Sequence, residues 1–311
     1  MSVEFFLILG NQGLSFKCLF EFLDSKKSIL LNQGVLVLSE RTTTLLHQEL
    51  SFAKQASYST NEKREVLNSF VNLGIDQILR SNKIDFPEIR KVILCGSELI
   101  CDKKRTFRNN GPFFHTHANI ANYTSFMSPD YFRVFTAIRS FATFVPEIYC
   151  ASVKEQTMNR FSDFLEGVNL EELSWLPMCK KLIRPFGSVE SGDCPVYVWK
   201  FEDWRELWTG IIQDLCGISE LSTTYFDNNS NEFSCSLKAA DAFSEYELRQ
   251  QFSPVERKHR LEIFESGYPI NSDPIEHPFW SEEIQNALEN KYHEQCREIS
   301  DMRKVLFLTS S

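Results

Sequence analysis

Short apolar runs that stop at a glycine or a polar residue alternate along this chain with longer stretches whose apolar positions recur every three or four residues. The first run, Val3-Glu4-Phe5-Phe6-Leu7-Ile8-Leu9, ends at Gly10, the pattern of a buried strand that feeds a turn. From Ser15 to Leu31 the residues Leu19, Phe22, Leu23 and Leu30 fall at helical spacing. Val35 to Leu38 predicts a second short strand. Glu62 to Asn82 predicts an amphipathic helix carrying Val66, Phe70, Leu73 and Ile78 on one side, closed by Pro87 and the charges around it. Lys91-Val92-Ile93-Leu94-Cys95 before Gly96, and Phe132 to Ile138, repeat the buried-strand signal. Pro195 to Lys200 is the last clear strand, and Trp204, Leu207, Trp208, Ile211, Ile212 and Leu215 share one face of the helix that follows.

Unbroken apolar strands separated by amphipathic helices predict an α/β fold, with a mainly parallel sheet flanked by helices on both faces. The chain then changes character. Glu220 to Glu232 is polar and Asn-rich and reads as a loop; after it come only helical patterns, including Ile284, Leu288, Tyr292 and Ile299. The expected organisation is an α/β core over residues 1–220 and a helical C-terminal part over 221–311, packed on the same domain. Ser236 to Met302 supplies its helices, lying on the core or forming a lid on the acceptor side.

Charge narrows the partners. A formal net charge of -9 over 311 residues argues against a broad basic face for duplex DNA or anionic lipid, so an anionic ligand has to be held by a few placed groups. Nine cysteines with no Cys-x-x-Cys pair read as reduced thiols of a cytoplasmic protein, not as a disulfide framework or zinc site. Val3 to Leu9 is too short for a signal-peptide core and lacks a basic leader, and no segment approaches the length of a membrane span. The expectation is a cytoplasmic protein with no nucleic-acid partner and no membrane insertion.

In an open parallel sheet the ligand sits at the carboxyl ends of the strands, which directs attention to the loops after Leu9, Cys95 and Ile138. The first, Gly10-Asn11-Gln12-Gly13-Leu14-Ser15-Phe16-Lys17, joins a strand to a helix, where free backbone N–H groups and the helix dipole can hold a phosphate. The Walker spacing Gly-x-x-x-x-Gly-Lys-Ser/Thr is absent.

The span Leu9 to Leu23 resembles the start of the bacterial PAPS-dependent sulfotransferases, where a strand meets Gly-x-x-Lys-x-Gly-Thr-Thr-x-Leu-Gln-x-x-Leu. Gly10, Leu19 and Leu23 fall in register. Gly13 stands in the place of the family's catalytic lysine, and Ser15, Phe16 and Lys17 in the place of Gly-Thr-Thr. Phe132 to Cys150 is similar to the second signature, a strand ending in an arginine that binds the 3'-phosphate, then a helix with a serine eight residues on and a tyrosine after it. Arg139 and Tyr149 match, and Glu147 holds the serine place. Pro195 to Asp203 resembles the strand and acidic turn before a long helix, and Leu94 to Leu99 the Ser-Glu-x-Leu turn after the middle strand. The resemblance runs in order through residues 1–220.

It implies a P-loop-hydrolase-like sheet, PAPS as sulfuryl donor with PAP as product, and a hydroxyl of a carbohydrate or small metabolite as acceptor. Sulfuryl transfer is an in-line displacement needing a cation near the bridging oxygen and a base for the acceptor proton. Lys17, the lysine of the first loop, is the candidate cation, or else a solvated lysine at a helix start. Glu98 is the candidate base, or else a capping or turn carboxylate. Gly10, Asn11, Gln12, Gly13, Leu14 and Ser15 are the candidate phosphate cradle. Arg139 is the candidate phosphate ligand, or else the partner of Glu147 in a salt bridge. Ser97, His115 and His117 are candidates for the acceptor side. His115-Thr116-His117 lacks matching Cys or acidic ligands, so no metal is expected. Two alternatives stay open: a divergent noncatalytic member acting as a binding or scaffold protein, and a glycosyltransferase using another nucleotide donor, which would want an Asp-x-Asp that the chain lacks.

Overall fold

The computed structural model describes residues 3–10, 14–79, 88–96, 123, 131–155, 160–166, 168–183, 194–217, 236–250, 252–269 and 280–309. The apolar runs become strands of one sheet: β1 (Glu4–Leu9), β2 (Val35–Leu38), β3 (Lys91–Cys95), β4 (Phe132–Ile138), β5 (Val196–Lys200) and β6 (Val305–Leu308). Their order is β2-β3-β1-β4-β5-β6 and every neighbouring pair is parallel. Leu7 lies opposite Leu94 on one side and Val134 on the other.

All carboxyl ends therefore share one edge. The first connection leaves β1 toward β2, and the chain crosses back past β1 between β3 and β4. The direction of travel thus reverses at β1, and the carboxyl ends of β1 and β4 flank the switch point where open sheets bind ligands.

Alternation along the strands builds two cores. On one face Phe6, Ile8, Ile93, Phe135 and Trp199 pack against α1 (Leu14–Asn32) and the later helix α7 (Trp204–Cys216). On the other, Leu7, Leu9, Leu94, Val134 and Val198 pack against the remaining helices. In chain order these are α2 (Glu40–Gln55), α3 (Thr60–Leu79), α4 (Phe141–Glu155), the single turn α5 (Phe161–Phe164), α6 (Leu176–Ile183), α8 (Leu237–Glu247), α9 (Pro254–Gly267) and α10 (Glu282–Ser300). Helices thus cover both faces, as the sequence predicts.

Local chemistry sets several boundaries. Ser253 and Glu256 form a capping box at the start of α9 with Pro254 just inside it, and Ser281 caps α10 ahead of Glu282 and Glu283. Gly217 ends α7 in the left-handed conformation. Gly34, at φ +76°, turns the chain into β2, and a Cβ there would sit 2.6 Å from the Glu88 carbonyl oxygen. Pro146 lies inside α4 and has no N–H for the Ala142 carbonyl one turn back; the Trp280 indole donates to that carbonyl at 2.9 Å instead.

The C-terminal part departs from the sequence reading. The last strand is not Pro195 to Lys200 but β6, a four-residue edge strand paired with β5. The C-terminal part is accordingly not only helical, since it contributes a strand to the core sheet. Its helices share the core cluster with Leu7 and Val134. Arg257 of α9 fastens them to α4: it pairs with Glu247 and donates to the carbonyls of Val153 and Lys154. Among the described residues no helix is long and apolar enough to cross a membrane.

Candidate functional site at the carboxyl edge

Strand β4 delivers Arg139 to the switch point, and α4 begins directly after it. The guanidinium is buried, and its Nε and Nη1 bond within the protein. Nη1 pairs with Glu147, Nε donates to Thr143 Oγ1 at 2.8 Å, and the Phe201 ring lies 4.3 Å from Cζ. Both charged residues are nearly inaccessible, Arg139 at 4% exposure and Glu147 at 3%. Thr143 and Glu147 lie one and two turns along α4, so the helix turns a hydroxyl and a carboxylate toward the arginine.

The end of β4 is closed in the same manner. The carbonyl of Arg139 accepts from the Trp175 indole at 2.8 Å, and the Tyr292 hydroxyl lies 3.2 Å from the carbonyl of Ile138. At the N-terminus of α4, where free N–H groups favour an anion, the Ser140 N–H points to Glu202 Oε1 at 3.4 Å. The Ser140 hydroxyl donates to Glu289 Oε1 at 2.7 Å and accepts from the Ala142 N–H at 3.3 Å. Glu202 Oε2 also lies 2.8 Å from the Tyr292 hydroxyl.

Desolvation raises the Glu202 carboxyl above its ordinary range, outweighing the hydrogen bonds from its own backbone, Tyr292 and Ser140 and the attraction of Arg139. Burial likewise pushes the Tyr292 phenol far up. The Tyr292 hydroxyl has two acceptors within reach, Glu202 Oε2 and the carbonyl of Ile138.

At the end of β1 the picture is aromatic. Gly10 is buried, and a Cβ on it would meet Phe16 Cβ and Cγ at 3.0 Å, so the glycine is required by the return of α1 over the strand end. Phe16 is a core residue at 1% exposure. Its ring lies 5.8 Å from that of Trp199 and 6.4 Å from that of Trp204. A side chain placed there has neither a hydroxyl to offer a phosphate nor freedom to turn toward one.

Comparison with protein-family models, with curated proteins and with solved structures finds no match. The site is therefore read from its own geometry.

Of the candidates from the sequence, Gly10 and Arg139 come together at the ends of the paired strands β1 and β4. Asn11, Gln12, Gly13, Ser97, Glu98, His115 and His117 lie outside the described residues, as do the side chains of Leu14, Ser15 and Lys17. Tyr149 turns away from the edge to Ser244 and Asp241, tying α4 to α8. Among the described residues no group of His, Cys, Asp and Glu is placed to hold a metal ion.

Sequence reasoning passed over Ser140, Glu289 and Tyr292 as site residues and took Glu202 only as part of an acidic turn. The position of Glu202 directly after a buried strand was the available signal. Glu289 and Tyr292 sit in an amphipathic helix, and nothing local marks them as lying on β4.

Proposed function

We propose that this chain is a divergent sulfotransferase-like protein that acts as a binding or scaffold protein, its nucleotide crevice closed by its own side chains. The observation that carries this reading is the buried Arg139–Glu147 pair. A guanidinium that is to hold a phosphate needs its donors directed outward, and here they are directed to Glu147 and Thr143. An incoming 3'-phosphate would meet the charge of Glu147 and would have to break a desolvated ion pair.

The rest of the edge supports the same reading. Glu202 occupies the N–H of Ser140, Tyr292 and Trp175 cover the last carbonyls of β4, and Phe16 fills the space above Gly10. The strand order 2-3-1-4-5, with β6 added outside it, supports a P-loop-hydrolase-like origin for the sheet.

Retained sulfuryl transfer from PAPS to a carbohydrate or small-metabolite hydroxyl is the second reading. The observation in its favour is the raised pKa of Glu202, the property a general base needs, at the edge where chemistry would occur. Incubation with labelled PAPS and a panel of hydroxyl acceptors separates the two. The proposal expects no label transfer above the uncatalysed background, and transfer lost in Glu202→Gln would overturn it in favour of the second reading.

A further inference from the structure

A cavity of about 280 Å³ opens between α10 and the last two strands. The helix contributes His293, Cys296, Arg297 and Ser300, which recur at the three- and four-residue spacing of one helical face. Lys200 ends β5, and Phe307 and Thr309 lie two apart on the β6 side, so the sheet turns all three toward the same helix.

Arg139, Arg257, Lys154, Arg160 and Arg249 each pair with a carboxylate. Among the described residues Lys200, His293 and Arg297 have no ion-pair partner, although the chain is acidic overall. Lys200, His293 and Arg297 line one cavity and none is held by a carboxylate there, so an anion supplied from outside can pair with them.

The lining also sets the kind of anion. Phe307 and Cys296 give an apolar wall, and burial pushes the Cys296 thiol up to about 11, so it is uncharged at neutral pH. Glu202 and Asp203 lie within electrostatic reach of that thiol, so a bare inorganic anion gains less here than one that also buries apolar surface. The volume lies at the lower end for small-molecule sites, enough for about one ring or a short chain.

We propose that Lys200, His293 and Arg297 bind a small organic anion with an apolar body, a carboxylate, sulfate or sulfonate carried on a ring or short chain. The cavity adjoins the carboxyl edge, since Lys200 lies opposite Ile138 in the sheet, but neither Arg139 nor Glu147 lines it.

The test uses the full chain, benzenesulfonate as probe, its neutral analogue benzenesulfonamide, and inorganic sulfate, with affinities read by ligand-observed NMR. Saturable binding of benzenesulfonate is expected, with each of the other two probes weaker by about tenfold or more. Lys200→Met and Arg297→Gln should each weaken it by about tenfold. Thr309→Asp, which places a negative charge at the exposed rim, should abolish it, and thermal melting verifies that each variant is folded. Absence of saturation up to about 10 mM, equal affinity for the sulfonamide or for sulfate, or binding indifferent to all three substitutions would overturn the assignment.

Discussion

Arg139 and Glu147 form an ion pair sealed inside the protein at the carboxyl edge of the sheet. Breaking it from one side strands a buried charge, which costs about 3–5 kcal/mol. Glu147→Gln and Arg139→Met are each expected to lower stability by that order. The double variant Arg139→Met/Glu147→Leu should lie close to wild type, because an apolar pair removes both desolvation terms. Urea unfolding of the four proteins checks this, and additive losses in the double variant would show that the two residues are not coupled.

A second coupling is expected between Pro146 and Trp280. Trp280→Phe leaves the Ala142 carbonyl without its donor inside the core, a loss of about 1–3 kcal/mol. Pro146→Ala restores a helical N–H to that carbonyl, so Trp280→Phe should cost measurably less in that background. Equal costs in both backgrounds, by chemical denaturation, would remove the proline from the explanation.

The strands were legible because parallel strands covered on both faces are written as unbroken apolar runs. Leu7-Ile8-Leu9 and Val92-Ile93-Leu94 need no tertiary knowledge. β6 was not legible, being four residues long at the sheet edge with Leu306 exposed. α2 was hidden by Thr42, Thr43 and Thr44, whose branched side chains dilute the helical pattern of Leu46, Leu50 and Ala53.

Arg139 was legible as a polar residue ending an apolar run, and its pairing with Glu147 stood among the alternatives. The other contacts were not, because each joins residues far apart in the chain. Tyr292 lies 154 positions from Ile138 and 90 from Glu202, and Glu289 lies 149 from Ser140. Only the packing of α10 over the carboxyl edge brings them together.

The Glu202 carboxyl carries a pH signature. Its ordinary value is 4.5 and its folded value is higher, so between the two the folded chain holds a proton that the unfolded chain has released. Its contribution is fully present below about 4.5 and is lost as pH rises through the folded pKa. Glu202→Gln keeps hydrogen-bonding capacity toward Tyr292 and Ser140 and should flatten that part of the profile. Urea midpoints measured across this range for both proteins test it, and parallel profiles would contradict it.

The described cysteines divide by burial. Cys179, Cys194 and Cys216 have thiols pushed up to about 12 by desolvation, and Cys95 is raised as well. Cys18 is the described cysteine with partial solvent access. Brief iodoacetamide labelling of the native protein at pH 8, mapped by mass spectrometry, should modify Cys18 and spare these four until denaturant is added. Rapid native labelling of Cys179 or Cys194 would contradict the packing.

The most direct measurement is calorimetric titration of PAP into the wild-type chain, Glu147→Ser, and Arg139→Met/Glu147→Ser, each first verified as folded by circular dichroism. If the crevice is closed by the ion pair, wild type shows no saturable binding up to about 100 μM. Glu147→Ser, which frees the arginine and removes a like charge, should bind at least about tenfold more tightly, with the gain abolished when Arg139 is also replaced. Low-micromolar binding by the wild-type chain, unchanged in both variants, would contradict the account and place the nucleotide site on residues other than Arg139.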